Sequence, residues 1–210
     1  MSNYTTLVTM LEEFTGISGS NYSVRQSRAI NWAQRAINSV RWDFLFAEGT
    51  GFNTAQSDKQ YTLKSDFLLP YKFYLNNGTS TNELIQGIFD DIVTNPPSSE
   101  GVPKYFCLGG TDTYPTVYIG CPTADAAYAV TYGYYKKLST LSGTGESDIS
   151  IIWGDDPIIL GAAYKFWQYV ELPQKADLVF PQFWQAMKEM EENVPFIGKS
   201  WTETHPLPQG

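Results

Sequence analysis

The sequence predicts an α+β protein in which N- and C-terminal helices form one helical bundle, with an antiparallel β-sandwich or small barrel inserted between them. Three observations predict it. Apolar residues recur at steps of three and four near both ends of the 210-residue chain. Between about residues 47 and 150 the period falls to two, and turn residues cut that stretch into short runs. The boundaries read as 1–46 and 151–194 for the bundle, 47–150 for the β module and 195–210 for an extended C-terminal arm.

The first helix reads from Asn3 to Thr15, with Leu7, Met10, Leu11 and Phe14 on one face and Gly16 placed to end it. The short connection Ile17–Tyr22 makes the first two helices antiparallel neighbours. In Ser23–Phe46, Ile30, Ala33, Ile37, Val40 and Phe44 form one apolar stripe, each large side chain contributing roughly 1.5–3 kcal/mol if fully buried. Ser23 and Gln26 have the spacing of a capping box. The opposite face carries Arg25, Arg28 and Arg35, with Arg41 nearby and no acid from Val24 to Arg41. At Arg41-Trp42-Asp43-Phe44-Leu45 the helical pattern gives way to another kind of structure.

Strands read at Gln60–Leu63, Tyr71–Asn76, Pro103–Leu108, Thr116–Cys121 and Ala126–Lys137, with a further strand-like run through Leu84-Ile85. Tyr71, Phe73 and Leu75 share one face of theirs, and Tyr128, Val130, Tyr132 and Tyr134 one face of the longest. Asn77-Gly78 predicts a tight turn; Asn95-Pro96-Pro97, Gly109-Gly110 and Cys121-Pro122 are breakers. Leu141–Ser150 reads as a Gly/Ser linker. Asp155-Asp156-Pro157 then supplies an acidic cap and a first-turn proline for a helix, Ile158–Val170, that is apolar nearly all round and so belongs at the centre of the bundle. A last helix covers about Pro181–Val194, with Phe180, Phe183, Met187, Met190 and Val194 at three-four spacing; Pro181 either begins it or kinks a longer one.

No apolar run approaches the ~20 residues that cross a bilayer, and MSNYTTLVTMLEEF lacks a basic start and carries acids, so neither membrane span nor signal peptide is expected. Two cysteines, Cys107 and Cys121, build no disulfide framework; they read as two buried free thiols, the other reading being a pair across neighbouring strands. A net charge of −8 makes the whole surface poorly suited to gripping nucleic-acid phosphates. Catalytic chemistry is sparse. The single histidine, His205, lies in the Pro-rich tail; Gly198-Lys199-Ser200 lacks the upstream glycine of a phosphate loop, since Asn193 holds that position. Ser142-Gly143-Thr144-Gly145 reads as linker, and Asp90-Asp91 and Asp155-Asp156 as caps or solvated turns rather than a carboxylate pair across a cleft. No metal set and no cofactor are expected. Trp153, Trp167, Trp184 and Phe166 read mainly as packing; stacked on sugars instead, they would make the chain a carbohydrate-binding module, the alternative function.

Two surfaces stand out. The arginine face of the second helix, Arg25, Arg28 and Arg35, is solvated or meets acids of a neighbouring subunit, with Glu189, Glu191 and Glu192 as candidates. Phe196, Ile197 and Trp201, on a tail without periodicity, are candidates for an arm that orders on a partner, the other reading being a tail packed on its own bundle.

The order of these features resembles the head-to-tail connector or adaptor proteins of tailed bacteriophages, including the tail tubular A type. The residues that carry the resemblance are Arg41–Leu45, Tyr61-Thr62-Leu63-Lys64-Ser65-Asp66-Phe67, Gly101-Val102-Pro103-Lys104-Tyr105, Val117–Pro122, Tyr128–Tyr132 leading into Leu138-Ser139, and Gly161-Ala162-Ala163. Lys64 and Asp43 stand where the family often has proline. The resemblance implies a structural virion protein of the neck region without enzymatic activity, assembled in the host cytoplasm. It implies a homo-oligomeric, twelve-fold ring that binds the portal protein and the tail or nozzle proteins. DNA then passes through the lumen without specific binding. The arm would dock on the portal or on the adjacent subunit.

Overall fold

The change of hydrophobic period along the chain becomes a change of architecture in the computed structural model, which describes residues 3–95, 99–111, 114–138, 140–141, 155–198 and 200–205. Helices α1 (Tyr4–Thr15) and α2 (Ser23–Ile37) lead into strands β1 (Arg41–Trp42), β2 (Phe46–Glu48), β3 (Phe52–Asn53), β4 (Gln60–Thr62), β5 (Phe67–Asn76), β6 (Thr81–Glu83) and β7 (Ile85–Gln86). Strands β8 (Glu100–Gly101), β9 (Tyr105–Gly110), β10 (Pro115–Gly120), β11 (Thr123–Ala124) and β12 (Ala129–Lys136) follow. Helices α3 (Asp156–Tyr169) and α4 (Pro173–Asn193), strand β13 (Phe196–Ile197) and the short helix α5 (Trp201–Thr204) complete the order. The fold is α+β, with terminal helices flanking a β-rich region. Residues 1–44 and 138–210 group as one compact unit, and 45–137 as another.

In the helical unit α3 is the central element, packed on α1, α2 and α4. Its buried residues run almost all round it, from Pro157 and Ile158 through Gly161, Ala162 and Ala163 to Phe166 and Trp167. Gly161 marks the closest approach: a Cβ there would lie 2.9 Å from the Phe183 ring and 3.0 Å from the Ala33 methyl, so α2, α3 and α4 meet over a missing side chain. Asn3 caps α1 by accepting from the Thr6 N–H at 2.9 Å, and Gly16, at φ 67°, ends it in the left-handed conformation that glycine adopts without strain. Leu7, Leu11 and Thr15 are the buried residues of α1, whereas Phe14, expected on the same face, is 45% exposed.

Several expected features of this unit differ. Ser23 and Gln26 make no capping box. A 3-10 turn, Ser20–Tyr22, runs straight into α2 and leaves Ser23 already helical (φ −53°, ψ −41°). The Ser23 hydroxyl donates back to the Ser20 carbonyl, and the Gln26 amide reaches Glu12 Oε1 (3.1 Å) and the Ile17 carbonyl, fastening α1 to α2. Helix α2 stops at Ile37; Val40 is still buried, but Trp42 has left the helix for a strand pair. Helix α4 begins at Pro173, so Pro181 lies inside it, and Ala176, Val179, Phe183, Met187 and Met190 form its buried stripe. Leu141 is not linker: it is buried, and the Asn31 side chain bonds both its carbonyl (2.9 Å) and its N–H (2.8 Å). The rest of that expected linker, 142–150, and Trp153 lie outside the described residues.

Among the described residues the β unit holds a small two-stranded sheet, β11-β8, and two larger sheets, ordered β2-β12-β5-β6, with β3 also on β12, and β4-β10-β9-β7. Their shared core includes Phe73, Leu75, Phe106, Val117, Ile119, Val130, Tyr132 and Tyr134. Most pairings are antiparallel, but β7 runs parallel to β9 and β11 parallel to β8. The first of these follows from Leu84, where the chain passes from one sheet into the other without reversing. Tyr71 does not share the inner face with Phe73 and Leu75. Opposite β12 the register slips between Gly133↔Lys72 and Tyr134↔Pro70, so Tyr71 is the extra residue of a bulge and turns outward onto Phe46 and Tyr135. The Tyr61–Phe67 stretch enters this core through two tyrosines: the Tyr134 hydroxyl donates to Asp66 Oδ1 (2.8 Å), and the Lys64 N–H donates to the Tyr132 hydroxyl (3.4 Å).

Candidate assembly surface

Helical geometry places Arg25, Arg28, Trp32 and Arg35 on one stripe of α2, at steps of three and four. All four arginines of the chain lie between Arg25 and Arg41, and all four are exposed. None forms an ion pair among the described residues; the pairs there are Lys72–Glu83 and Lys188–Glu192. An arginine left without an acid retains five unused donors and a full charge. Trp32 sits between them half-buried, near Tyr164 and Phe183, with the Lys165 ammonium 5.4 Å over its ring. Beside this stripe opens a groove of about 1080 Å³ whose walls include Trp32, Tyr164, Phe180, Pro181, Trp201 and His205. Arg35 and Asp177 supply its charged side chains.

The acids expected to answer the arginines are placed differently from one another. Glu191 is committed within the chain: its carboxylate accepts from the N–H groups of Trp201 and Thr202 and from the Ser200 and Thr202 hydroxyls, capping α5. Glu192 is exposed and 3.7 Å from Lys188, one turn away. Glu189 is exposed and accepts from the Gln185 amide (3.1 Å). Of the three, Glu191 is thus the one whose carboxylate is already shared among groups of its own chain, beside the Ser200 N-cap of α5.

The described residues of the expected arm, 195–198 and 200–205, pack on the chain's own helical unit, and the remainder of 195–210 lies outside the described residues. Strand β13 pairs antiparallel with β1, Trp42 opposite Phe196 and Arg41 opposite Ile197. The Phe196 ring meets Trp42 edge-on at 5.5 Å, and Trp201, 3% exposed, packs edge-on against Phe183 at 5.0 Å with His205 stacked on it. Packing Phe196 on Trp42 and Trp201 on Phe183 of the same chain outweighs leaving both rings in water for a partner to cover. Sequence reasoning missed Trp42 as the anchor of this return and Glu191 as its clasp. Trp42 could have been suspected, since it is a large apolar residue off the stripe Ile30, Ala33, Ile37, Val40 and Phe44, just where the helical pattern gives way.

The remaining groups with chemical potential are engaged structurally. Asp155 stands at the N-cap of α3, and Asp90 accepts from the Thr94 hydroxyl at 3.1 Å in a turn of the β unit. Cys107 and Cys121 are free thiols, Cys121 donating to the Asp91 carbonyl. Among the described residues no cluster of His, Cys, Asp or Glu has the arrangement of a metal site, and no helix is long and apolar enough to cross a membrane. Phe166 and Trp167 are buried, and the Trp184 N–H is bonded to the His205 carbonyl at 3.1 Å, so these aromatics are packing rather than a sugar platform.

The sequence matches the SU10 adaptor protein family over residues 2–195, and the chain belongs to that family. It is thus a bacteriophage head–tail adaptor, a structural component of the virion. No curated protein matches the chain.

Proposed function

We propose that this adaptor is a subunit of a homo-oligomeric, dodecameric ring in the neck of the particle, seated between the portal and the tail or nozzle proteins and surrounding the DNA channel. Its action is mechanical joining, without enzymatic turnover. The observation that carries the reading is the family match across nearly the whole chain. Physical features support it. A ring subunit needs two different, complementary side surfaces, and the stripe Arg25, Arg28 and Arg35 is one surface whose acidic counterpart is not within the chain's own described residues. Glu189 and Glu192 are exposed acids that a neighbouring copy could offer to it. A net charge of −8 suits a conduit for DNA, since a strongly basic lumen would hold phosphates during passage. Cryo-electron microscopy of purified particles with symmetry averaging tests the proposal. Twelve copies arranged around the channel next to the portal are expected; a single copy, or copies placed only on the capsid surface or tail tip, would overturn it.

A further inference from the structure

The groove beside Trp32 and the exposed start of a short π-helix in the β unit, Asp90–Thr94, have matching chemistry, and we infer that residues Ile88–Asp91 of one copy seat in the groove of the next. The inference rests on the homo-oligomeric reading above and specifies which two surfaces meet. The groove is walled by aromatic rings and Pro181 and edged by Arg35. Arg28 and Arg25 continue that positive edge along α2, and Lys165 adds a cation over Trp32. Among the described residues Asp177 is the one carboxylate in its lining, against Arg35 and the neighbouring Arg28, Arg25 and Lys165, on a chain of net charge −8.

The segment Ile88–Asp91 offers the complement. Ile88 is 68% exposed and Phe89 44%, and the two carboxylates that follow, Asp90 and Asp91, are exposed as well. Ile85, at 60%, and Tyr105, at 38%, widen the apolar patch. The segment is also held firmly. Ile92 is buried against the backbone of Gly87 and Gly120, whose added Cβ atoms would lie 3.0 and 3.3 Å from it. The Phe89 ring meets Tyr118 edge-on at 5.4 Å, and the Asn95 N–H and the Cys121 thiol donate to the carbonyls of Asp90 and Asp91. A knob fixed before contact loses little freedom on binding. Apolar anchors entering an aromatic hollow, with carboxylates reaching arginines at its rim, give the usual division between affinity and orientation. The acids of α4 do not offer this combination: Glu191 is the α5 cap, and Glu189 and Glu192 flank the buried Met190 and the half-buried Glu191. Because groove and knob are different surfaces of one chain, the contact repeats head-to-tail and closes into a ring when the rotation permits.

Charge reversal in the full-length protein tests this, read by sedimentation velocity and native mass spectrometry and by incorporation into particles. Circular dichroism checks that each variant folds. Arg35→Glu, the pair Asp90→Arg with Asp91→Arg, and Ile88→Ser each alter exposed side chains and are expected to weaken self-association about tenfold or more. Combining Arg35→Glu with the double aspartate reversal is expected to recover most of the loss. If Arg35→Glu and the aspartate reversals all leave assembly unchanged, the inference is overturned while the ring stands. Wild-type protein that is single both in solution and in the particle overturns the ring and the inference together. Should Arg35→Glu abolish binding to duplex DNA and leave self-association untouched, the stripe faces nucleic acid and the inference is wrong.

Discussion

Trp42 shows how much one side chain decides here. It is fully buried, its N–H donates to the Ile37 carbonyl at the end of α2 (2.9 Å), and its ring meets Phe44 and Phe196. Trp42→Ala is expected to lower unfolding free energy by about 3–5 kcal/mol, measured by urea denaturation; a change below about 1 kcal/mol would show that the return strand hangs on other contacts. Tyr134 plays a comparable part in the β unit. Burial, and then its bond to the Asp66 carboxylate, push its hydroxyl well above the ordinary tyrosine value. Burial also raises Tyr132 and Tyr61. A raised folded value means that the unfolded chain releases the proton first. The stabilisation is therefore complete below about pH 10 and is lost as pH climbs beyond it. Thermal unfolding followed from pH 8 to 11 is expected to show a falling midpoint above pH 10, with a shallower fall in Tyr134→Phe. Equal slopes in the two proteins would remove Tyr134 from the explanation.

At the scale of elements, the crossing of α2, α3 and α4 over Gly161 and the clasp of the C-terminal segment make separate predictions. Gly161→Leu puts a branched side chain where even one carbon already meets Phe183 and Ala33. A loss of roughly 1–3 kcal/mol or more is expected by calorimetry. Of the two readings of the C-terminal segment, an arm that orders on a partner or a tail packed on its own bundle, the described residues 195–198 and 200–205 follow the second, so deleting residues 195–210 is expected to reduce stability, and not only incorporation into particles. Glu191→Ala should leave the long helices intact while amide hydrogen exchange at Trp201 and Thr202 speeds up, since both N–H groups lose their acceptor. Unchanged exchange there would mean that Trp201 packing alone holds the segment.

For the whole molecule, the imbalance of charge is the informative feature. All four arginines sit on one short stretch of a chain whose formal charge is −8. An assembly held partly by these arginines is expected to loosen as salt rises from about 0.05 to 0.5 M, because contacts at a solvated rim are screened. Sedimentation velocity across that range checks it, and an assembly indifferent to salt would assign cohesion to apolar contact alone.

Hydrophobic period and composition by themselves determined the α+β class, the central place of the helix Ile158–Val170 and the inner face shared by Val130, Tyr132 and Tyr134, because these depend on local spacing and residue type. The adaptor family was also legible, through the order of stretches such as Tyr61–Phe67 and Gly161–Ala163. Tertiary structure decided what depends on distant partners. It ended α2 at Ile37, since Trp42 gains more by pairing with Phe196 than by extending a helix. It turned Glu191 inward to cap a helix ten residues on, and it folded Trp201 onto Phe183 instead of leaving it on an arm. It also turned Tyr71 outward, because the bulge exists only against β12. Each of these outcomes is a contact between residues far apart along the chain or on different elements, and local pattern carries no information about which of two physically acceptable partners a side chain will find.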